Sequence, residues 1–418
     1  VIRVALILFV SDPKAIMSDP AHTKLYEHGF VAHNLYTGHG FAMQWPYQSL
    51  DSARREVMSQ PPRWEGAFLP PLNPYLLVLS YEIFGETANA LIAMMILYAI
   101  IGSLTPIVVY KVGLLLSSER AARTSALLSL VFLPSAYAVI TFSGSAIYQL
   151  LGIVILYYAI EAATRPSWKS FLWLGLWCGI MTMLRSEFLM LGFILIGAAL
   201  ILAYRYSYRQ GIIGQALCAA LVCIAIVGPW TARNYVLFHK VVPVLSHPWY
   251  EIWRGNNMLA TGSNYDREGD AIWASPAMFP GLIHRMDSIP YNSEFEWKAD
   301  QLFKTEVISF IEEHPGRFVW LGVKKLFFFF TFDPYYRYNQ SIFYIAPMLL
   351  ISLLTILGMI SLLRDRTHRQ AAIVFSLFFL YYIALTFMTV ALPRYQIYVF
   401  TCMLPVGGLI AGRTDRPR

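Results

Sequence analysis

The sequence predicts an all-α polytopic membrane protein, a bundle of about 10–12 transmembrane helices, and three observations carry that prediction. Apolar residues make up 57% of the 418-residue chain and charged residues 14%. Soluble domains hold roughly 45–50% and about 25%, so a chain with this little charge could not coat a water-facing surface. Apolar runs at or near spanning length recur at 88–110, 121–140, 145–162, 171–184, 188–204, 213–230, 341–363, 371–391 and 396–412. Lysine and arginine gather between alternate runs, the pattern that membrane topology imposes on cytoplasmic loops.

Taken in order, Val1–Val10 is apolar, but at about ten residues it has half the length a crossing needs. Residues 1–10 are therefore expected to be the remnant of a truncated first transmembrane helix. The lack of a small-residue cleavage site after them argues against a signal peptide. Residues 11–87 form the first long loop, and within it FLPPLNPYLLVLSYEIF (68–84) reads as an interfacial or re-entrant helix entered through a Pro-rich turn. Residues 88–230 are the main transmembrane bundle, where Arg185, Ser186 and Glu187 split 171–204 into two helices meeting at a surface. Residues 231–340 are a second large loop, ending in the basic-aromatic segment EEHPGRFVWLGVKKLFFFFTF, an interfacial helix. The C-terminal transmembrane helices occupy 341–412 and a tail 413–418.

Orientation follows from the basic residues. Lys111, Arg120 and Arg123, then Arg165 and Lys169, Arg205 and Arg209, Arg364, Arg366 and Arg369, and finally Arg413, Arg416 and Arg418 all fall on one side. The short loops opposite hold only Arg185 and Arg394. The basic side is expected to be cytoplasmic, with 11–87 and 231–340 facing outward, and the alternation requires one helix before residue 11. The net charge of +7 is spread over short clusters between apolar runs, which excludes a nucleic-acid partner. Cys178, Cys218, Cys223 and Cys402 lie inside apolar runs without a CxxC pair, so neither a disulfide framework nor a zinc site is expected. TGHGF lacks phosphate-loop spacing and no GxSxG is present.

Charge near a bilayer costs roughly 2.5–3.5 kcal/mol on insertion scales and tends to be functional. Arg185, Arg233 in GPWTARNY and Arg394 in ALPRYQIYVF converge, in topology, on one membrane face. A guanidinium fork matches phosphate oxygens, so the three are candidates for holding a lipid-linked phosphate. Each reads equally well alone as an interface anchor or, for Arg185, as the partner of Glu187. The stretch SDPAHTKLYEHGFVAHNLYTGHGF (18–41) is unusually polar for such a chain. Its Asp19 reads as a carboxylate held at the membrane surface, either general base or metal ligand, or as a turn residue. His22, His28, His33 and His39 are spaced by six, five and six residues, not the i, i+4 spacing of helical metal ligands, and no metal ligand is assigned. Gly38 and Gly40 would end a helix. Trp253, Asn256 and Asn257 suit a sugar. With Tyr26, Glu187, Asn234 and Tyr395 they complete the candidate substrate-binding set.

Asp19, Tyr26, Ala32, Leu35, Gly38 and Gly40 form the pattern D-x6-Y-x5-A-x2-L-x2-G-x-G. With PPLNPYLLVLSYEIFG (70–85), GPWTARNY (228–235), WRGNN (253–257), EHPGRFVWLGVKK (313–325) and PRYQIYVF (393–400), the chain resembles GT-C glycosyltransferases. The resemblance lies with the bacterial branch similar to protein O-mannosyltransferases and lipid A aminoarabinose transferases, and it spans nearly the whole chain. It implies a GT-C-like bundle that moves a sugar, with inversion, from a polyprenyl-phosphate donor to a lipid, glycan or protein acceptor. The site would lie on the outer face of a bacterial or archaeal cytoplasmic membrane. Asp19 would be the catalytic carboxylate, and Arg185, Arg233 and Arg394 the phosphate ligands. No cofactor is assigned, a divalent cation being the one candidate. Two departures stand out: Pro20 follows Asp19 where relatives carry a second carboxylate, and Gly144 in TFSGSAIYQ stands where an acid is expected. A lipid-linked sugar flippase and a non-catalytic assembly subunit are the competing readings.

Overall fold

The computed structural model describes residues 1–18, 25–44, 63–207, 211–272, 278–336 and 340–412. The chain is helical almost throughout. It opens with α1 (Ile2–Phe9), α2 (Pro13–Met17) and α3 (Tyr26–Tyr36). Helix α3 ends at Thr37, and Gly38 and Gly40 then turn the chain with φ of +80° and +73°, a region that glycine enters without steric cost. A two-stranded antiparallel sheet follows, β1 (Ala42–Gln44) against β2 (Arg63–Glu65), with Met43 opposite Trp64. Helix α4 (Leu72–Phe84) starts directly after Pro70 and Pro71, as the Pro-rich entry predicts.

The bundle consists of α5 (Ala88–Leu116), α6 (Glu119–Val131), α7 (Leu133–Tyr137), α8 (Ser145–Thr164), α9 (Trp168–Thr182), α10 (Phe188–Ser207) and α11 (Ile212–Phe238). The helices of the second long loop follow: α12 (Pro248–Arg254), α13 (Pro280–Met286), α14 (Phe295–Glu313) and α15 (Pro315–Phe330). The chain returns through α16 (Ile342–Arg364), α17 (Arg369–Met388), α18 (Pro393–Gly407) and α19 (Leu409–Gly412).

Among the described residues six helices are long and apolar enough to cross a membrane unaided: α5, α8, α10, α11, α16 and α17. The run at 121–140 is a seventh crossing only if its two parts count as one, since the axis bends by 54° between α6 and the segment that begins with α7. Pro134 stands in the first turn after the bend, where a missing N–H breaks the hydrogen-bond ladder. The runs at 171–184 and 396–412 give 15-residue helices, α9 and α18, shorter than a full crossing. Residues 183–187 separate α9 from α10, so 171–204 is two helices meeting at Arg185–Glu187.

Helix α8 is the most enclosed span, packed by α5, α9, α10, α17 and α18. The outward faces of α5, α11 and α16 carry exposed Ile100, Ile107, Leu217, Leu221, Ile224, Leu353 and Ile356, a surface suited to lipid and not to water. A second core sits over the bundle. There Phe30, Phe41 and Trp64 of the first long loop meet Trp230 of α11 and Trp253, Phe295 and Phe303 of the second.

Polar bonds tie those loops together. The buried Glu296 carboxylate accepts from Trp64 Nε1 at 2.9 Å and from the Ala67 N–H at 2.7 Å, and also from Ser246 Oγ. Lys325 Nζ donates to Asn256 Oδ1 at 2.8 Å and to the Phe387 carbonyl at 3.2 Å. Burial lowers the Lys325 pKa to about 7.

Candidate active site

A cavity of about 670 Å³ opens where the two long loops meet the bundle. Helices α1, α7, α16 and α18 give it apolar walls through Leu6, Leu133, Phe343 and Ile397. The long loops and the start of α18 give it polar ones: Glu27 from α3, Tyr250 and Arg254 from α12, Asn264, and Arg394.

Arg394 owes its position to Pro393, which occupies the first turn of α18 after the extended Leu392, a place where the missing N–H costs nothing. Its buried Nε has no hydrogen-bond partner among the described residues. Arg254 ends α12 and faces Glu251 one turn back at 3.4 Å, and its Nε is also without a partner among the described residues. Arg185 is different. Its Nη2 and Nε lie 2.6 and 2.8 Å from Glu187 Oε1. Its guanidinium sits over the Tyr395 ring at 4.5 Å, with Tyr148 at 5.4 Å and Tyr398 at 5.9 Å. Tyr398 also donates to Glu187 at 3.1 Å.

The electrostatics join these groups. Burial opposes charge on Glu251, yet Arg254, Arg394, His247 and Arg185 together hold its carboxyl below the ordinary range. Burial, then Arg394 and Arg185, push His28 down to about 3, so His28 is a neutral imidazole at physiological pH. Burial opposes the charge on Arg254 too, but Glu251, Tyr250 and Glu27 more than offset it. The cavity is thus fringed by a positive field in which Arg185 and Arg254 have carboxylate neighbours and Arg394 has no ion pair among the described residues.

Of the residues singled out from the sequence, the structure gathers Arg185, Glu187, Tyr395 and Arg394 into this region, with only Arg394 on the cavity wall. Arg233 lies elsewhere. It donates to the Gly66 carbonyl at 2.6 Å and to Asn234 Oδ1 at 3.1 Å, and stacks 4.9 Å from Trp230. Asn234 is fully buried and donates to the Val242 and Val244 carbonyls. Trp253 is packed between Phe279 and Phe303, while Asn256 donates to the Ile252 and Met388 carbonyls and Asn257 to the Trp253 carbonyl. Tyr26 begins α3. Asp19 and His22 lie outside the described residues. Sequence reading passed over Glu27, Tyr250, Arg254 and Asn264. The Glu251–Arg254 spacing of one helical turn inside PWYEIWR was the available signal for Arg254.

Among the described residues no group of three or more His, Cys, Asp or Glu is placed to hold a metal ion. His33 pairs with Glu86 and His39 bonds Thr37. Gly144, where an acid was expected, has φ +74°, and a Cβ there would lie 2.7 Å from both the Asn73 amide and the Tyr148 hydroxyl. A side chain there would be strained and would have to displace both groups. The wall beside it is lined by the hydroxyls of Thr141, Ser143 and Ser145, linked at 3.2 and 2.7 Å.

Residues 69–230, from the approach to α4 through most of α11, match the family model of dolichyl-phosphate-mannose-protein mannosyltransferase. Among solved structures the chain resembles the apo oligosaccharyltransferase of Archaeoglobus fulgidus, with a TM-score of 0.54 at 12% identity over 97% of this chain and 49% of that one. It therefore spans about half the length of that protein. The archaeal oligosaccharyltransferase AglB from the same organism, in complex with an inhibitory peptide and a dolichol-phosphate, gives 0.49 at 13% identity over 98% and 49%. ArnT from Cupriavidus metallidurans, bound to undecaprenyl phosphate, gives 0.40 at 12% over 98% and 77%. No curated protein matches the chain. The helix order, the match through the central bundle and the likeness to the oligosaccharyltransferase agree: this chain carries the polytopic membrane fold of the GT-C glycosyltransferases.

Proposed function

We propose that the chain is a membrane glycosyltransferase. It moves a sugar from a polyprenyl-phosphate donor to a lipid, glycan or protein acceptor on the outer face of the membrane, with inversion at the anomeric carbon. The observation that carries this reading is Arg394, a permanently charged fork with an unpartnered buried Nε on the wall of a cavity otherwise largely apolar. Such a site asks for an anion with an oily tail, since phosphate oxygens satisfy the fork while apolar walls accept a polyprenyl chain. The match of residues 69–230 to the mannosyltransferase model supports the same donor class.

In this mechanism the donor phosphate lies against Arg394 and Arg254, and Arg185 adds its field from behind Tyr395. The acceptor hydroxyl attacks the anomeric carbon opposite the phosphate. The carbon–oxygen bond to phosphate breaks, and the hydroxyl proton passes to a carboxylate. Asp19 is assigned that role from the sequence, eight residues before Glu27, and a positioned base contributes roughly 10²–10⁴ in rate. Arg394 stabilises the charge that grows on the leaving phosphate.

The test is sugar transfer by purified full-length protein from labelled polyprenyl-phosphate sugars, with a membrane-lipid and glycan extract as acceptor, beside Asp19→Asn and Arg394→Ala. Transfer by wild type, lost in both variants, is expected. Transfer that survives in Asp19→Asn removes the base assignment. Movement of the donor across liposomes without a new bond would replace the reading with a transporter.

A further inference from the structure

One polar group on the cavity wall has no task in the mechanism above. Asn264 is 5% exposed and lines the cavity, and its Oδ1 is buried with no hydrogen-bond partner among the described residues. Buried acceptors are almost always satisfied, because leaving one unpaired forfeits its hydration.

The loop around Asn264 is the opposite case. Thr261 Oγ1 donates to the Tyr265 carbonyl at 2.6 Å and accepts from the Ser263 N–H at 3.2 Å. Ser263 Oγ donates to Asp333 and accepts from the Tyr265 N–H at 3.0 Å. The Asn264 carbonyl accepts from the Ile272 N–H at 2.8 Å. Ser263 is bridged to Ala391 and Tyr265 to Ala271. The backbone on both sides of Asn264 is fixed, and among the described residues no hydrogen bond of the loop recruits its side chain. The Ser263–Ala391 bridge also sets it beside the segment that leads into Arg394. A rigid frame presenting one unused acceptor is how a binding site is preorganised.

We infer that Asn264 recognises the sugar of the donor, accepting a hydrogen bond from a ring hydroxyl while the Tyr250 ring on the same wall offers it an apolar face. The inference rests on the polyprenyl-phosphate-sugar reading and follows from the chemistry of that donor. An amide oxygen needs an N–H or O–H. The polyprenyl chain has neither, and an ionised phosphate presents acceptors only. The sugar is the one part of the donor with hydroxyls to give.

Binding without an acceptor present separates this inference from the reading beneath it. The full-length protein in lipid nanodiscs is titrated with a polyprenyl-phosphate hexose, its monodeoxy analogues and bare polyprenyl phosphate, as wild type and as Asn264→Ala. Wild type is expected to bind the hexose lipid more tightly than the bare lipid. Asn264→Ala should weaken the hexose lipid about tenfold, the scale of one buried hydrogen bond, and leave the bare lipid unchanged. One monodeoxy analogue should reproduce that loss on wild type, an arm that needs no variant to fold. Equal loss for both lipids in Asn264→Ala, an undiminished preference for the hexose lipid, or no deoxy analogue that weakens binding to wild type would each overturn the assignment. Sugar transfer is scored separately: wild type that binds the hexose lipid but transfers nothing overturns the glycosyltransferase reading, and the binding arms still decide Asn264.

Discussion

Arg185 and Arg394 both stand at helix ends on the same membrane face, yet their chemical situations are opposed. Arg185 spends its donors on Glu187 and its planar faces on tyrosine rings. Replacing it with Leu leaves the Glu187 carboxylate buried without its cation. Such a loss costs about 3–5 kcal/mol, expected as a marked fall in melting temperature in detergent. Arg394 has no such partner among the described residues. Arg394→Lys should leave the melting temperature near wild type while lowering sugar transfer on the order of 10²-fold, because an ammonium lacks the planar fork. Equal stability losses in the two variants would contradict this division. The sequence distinguished neither case: it showed three arginines at helix ends, and only packing decides where a long side chain points. Arg233 illustrates the limit, since the Gly66 carbonyl that holds it lies 167 residues away in the chain.

At the scale of the element, α12 matters most, since seven residues bring Tyr250 and Arg254 to the cavity. A helix this short is not stable alone, and its free N–H groups at Trp249 and Tyr250 are capped from outside by Asp300 Oδ1 at 2.9 and 3.1 Å. Burial raises the Asp300 carboxyl to about 7, against the pull of those two N–H groups and with a further push from Glu296. An acid whose folded pKa lies above its ordinary value favours the fold when protonated. That contribution is complete below the ordinary value of 3.8 and is lost as pH rises through about 7. Melting temperature measured across this window should therefore carry a downward component in wild type that is absent in Asp300→Asn, which keeps an acceptor but does not titrate. A wild-type slope unchanged in the variant would rule Asp300 out as its source. Element ends were legible where proline or glycine marks them: α4 after Pro70–Pro71, α15 at Pro315, α3 before Gly38. The cap on α12 was not, because Asp300 is fifty residues from Tyr250.

Across the whole molecule, the apolar runs made the bundle legible. The site was less so, because its polar wall is assembled from both long loops. Glu296 is the joint between them, holding Trp64 and Ala67 of the first to Ser246 of the second. Glu296→Ala strands two N–H donors, each costing about 1–3 kcal/mol, and should speed protease cleavage in both loops and abolish transfer. Glu296→Gln keeps the acceptor for the Ala67 N–H and should fall between Ala and wild type. Cleavage confined to one loop would mean that they are not coupled there. The cavity has one more property, set by where its walls come from. Leu6 lies on the first helix, while Arg394 lies on α18 and Asn264 leans through Ser263 on Ala391 just ahead of it. A ribosome makes α1 early and α18 late. Through most of translation and membrane insertion the growing chain holds Leu6, Glu27 and Arg254 of that wall but not Arg394, so on the proposed reading the phosphate site is completed only when α18 is made, and a half-made protein holds carrier lipid more weakly than the finished one.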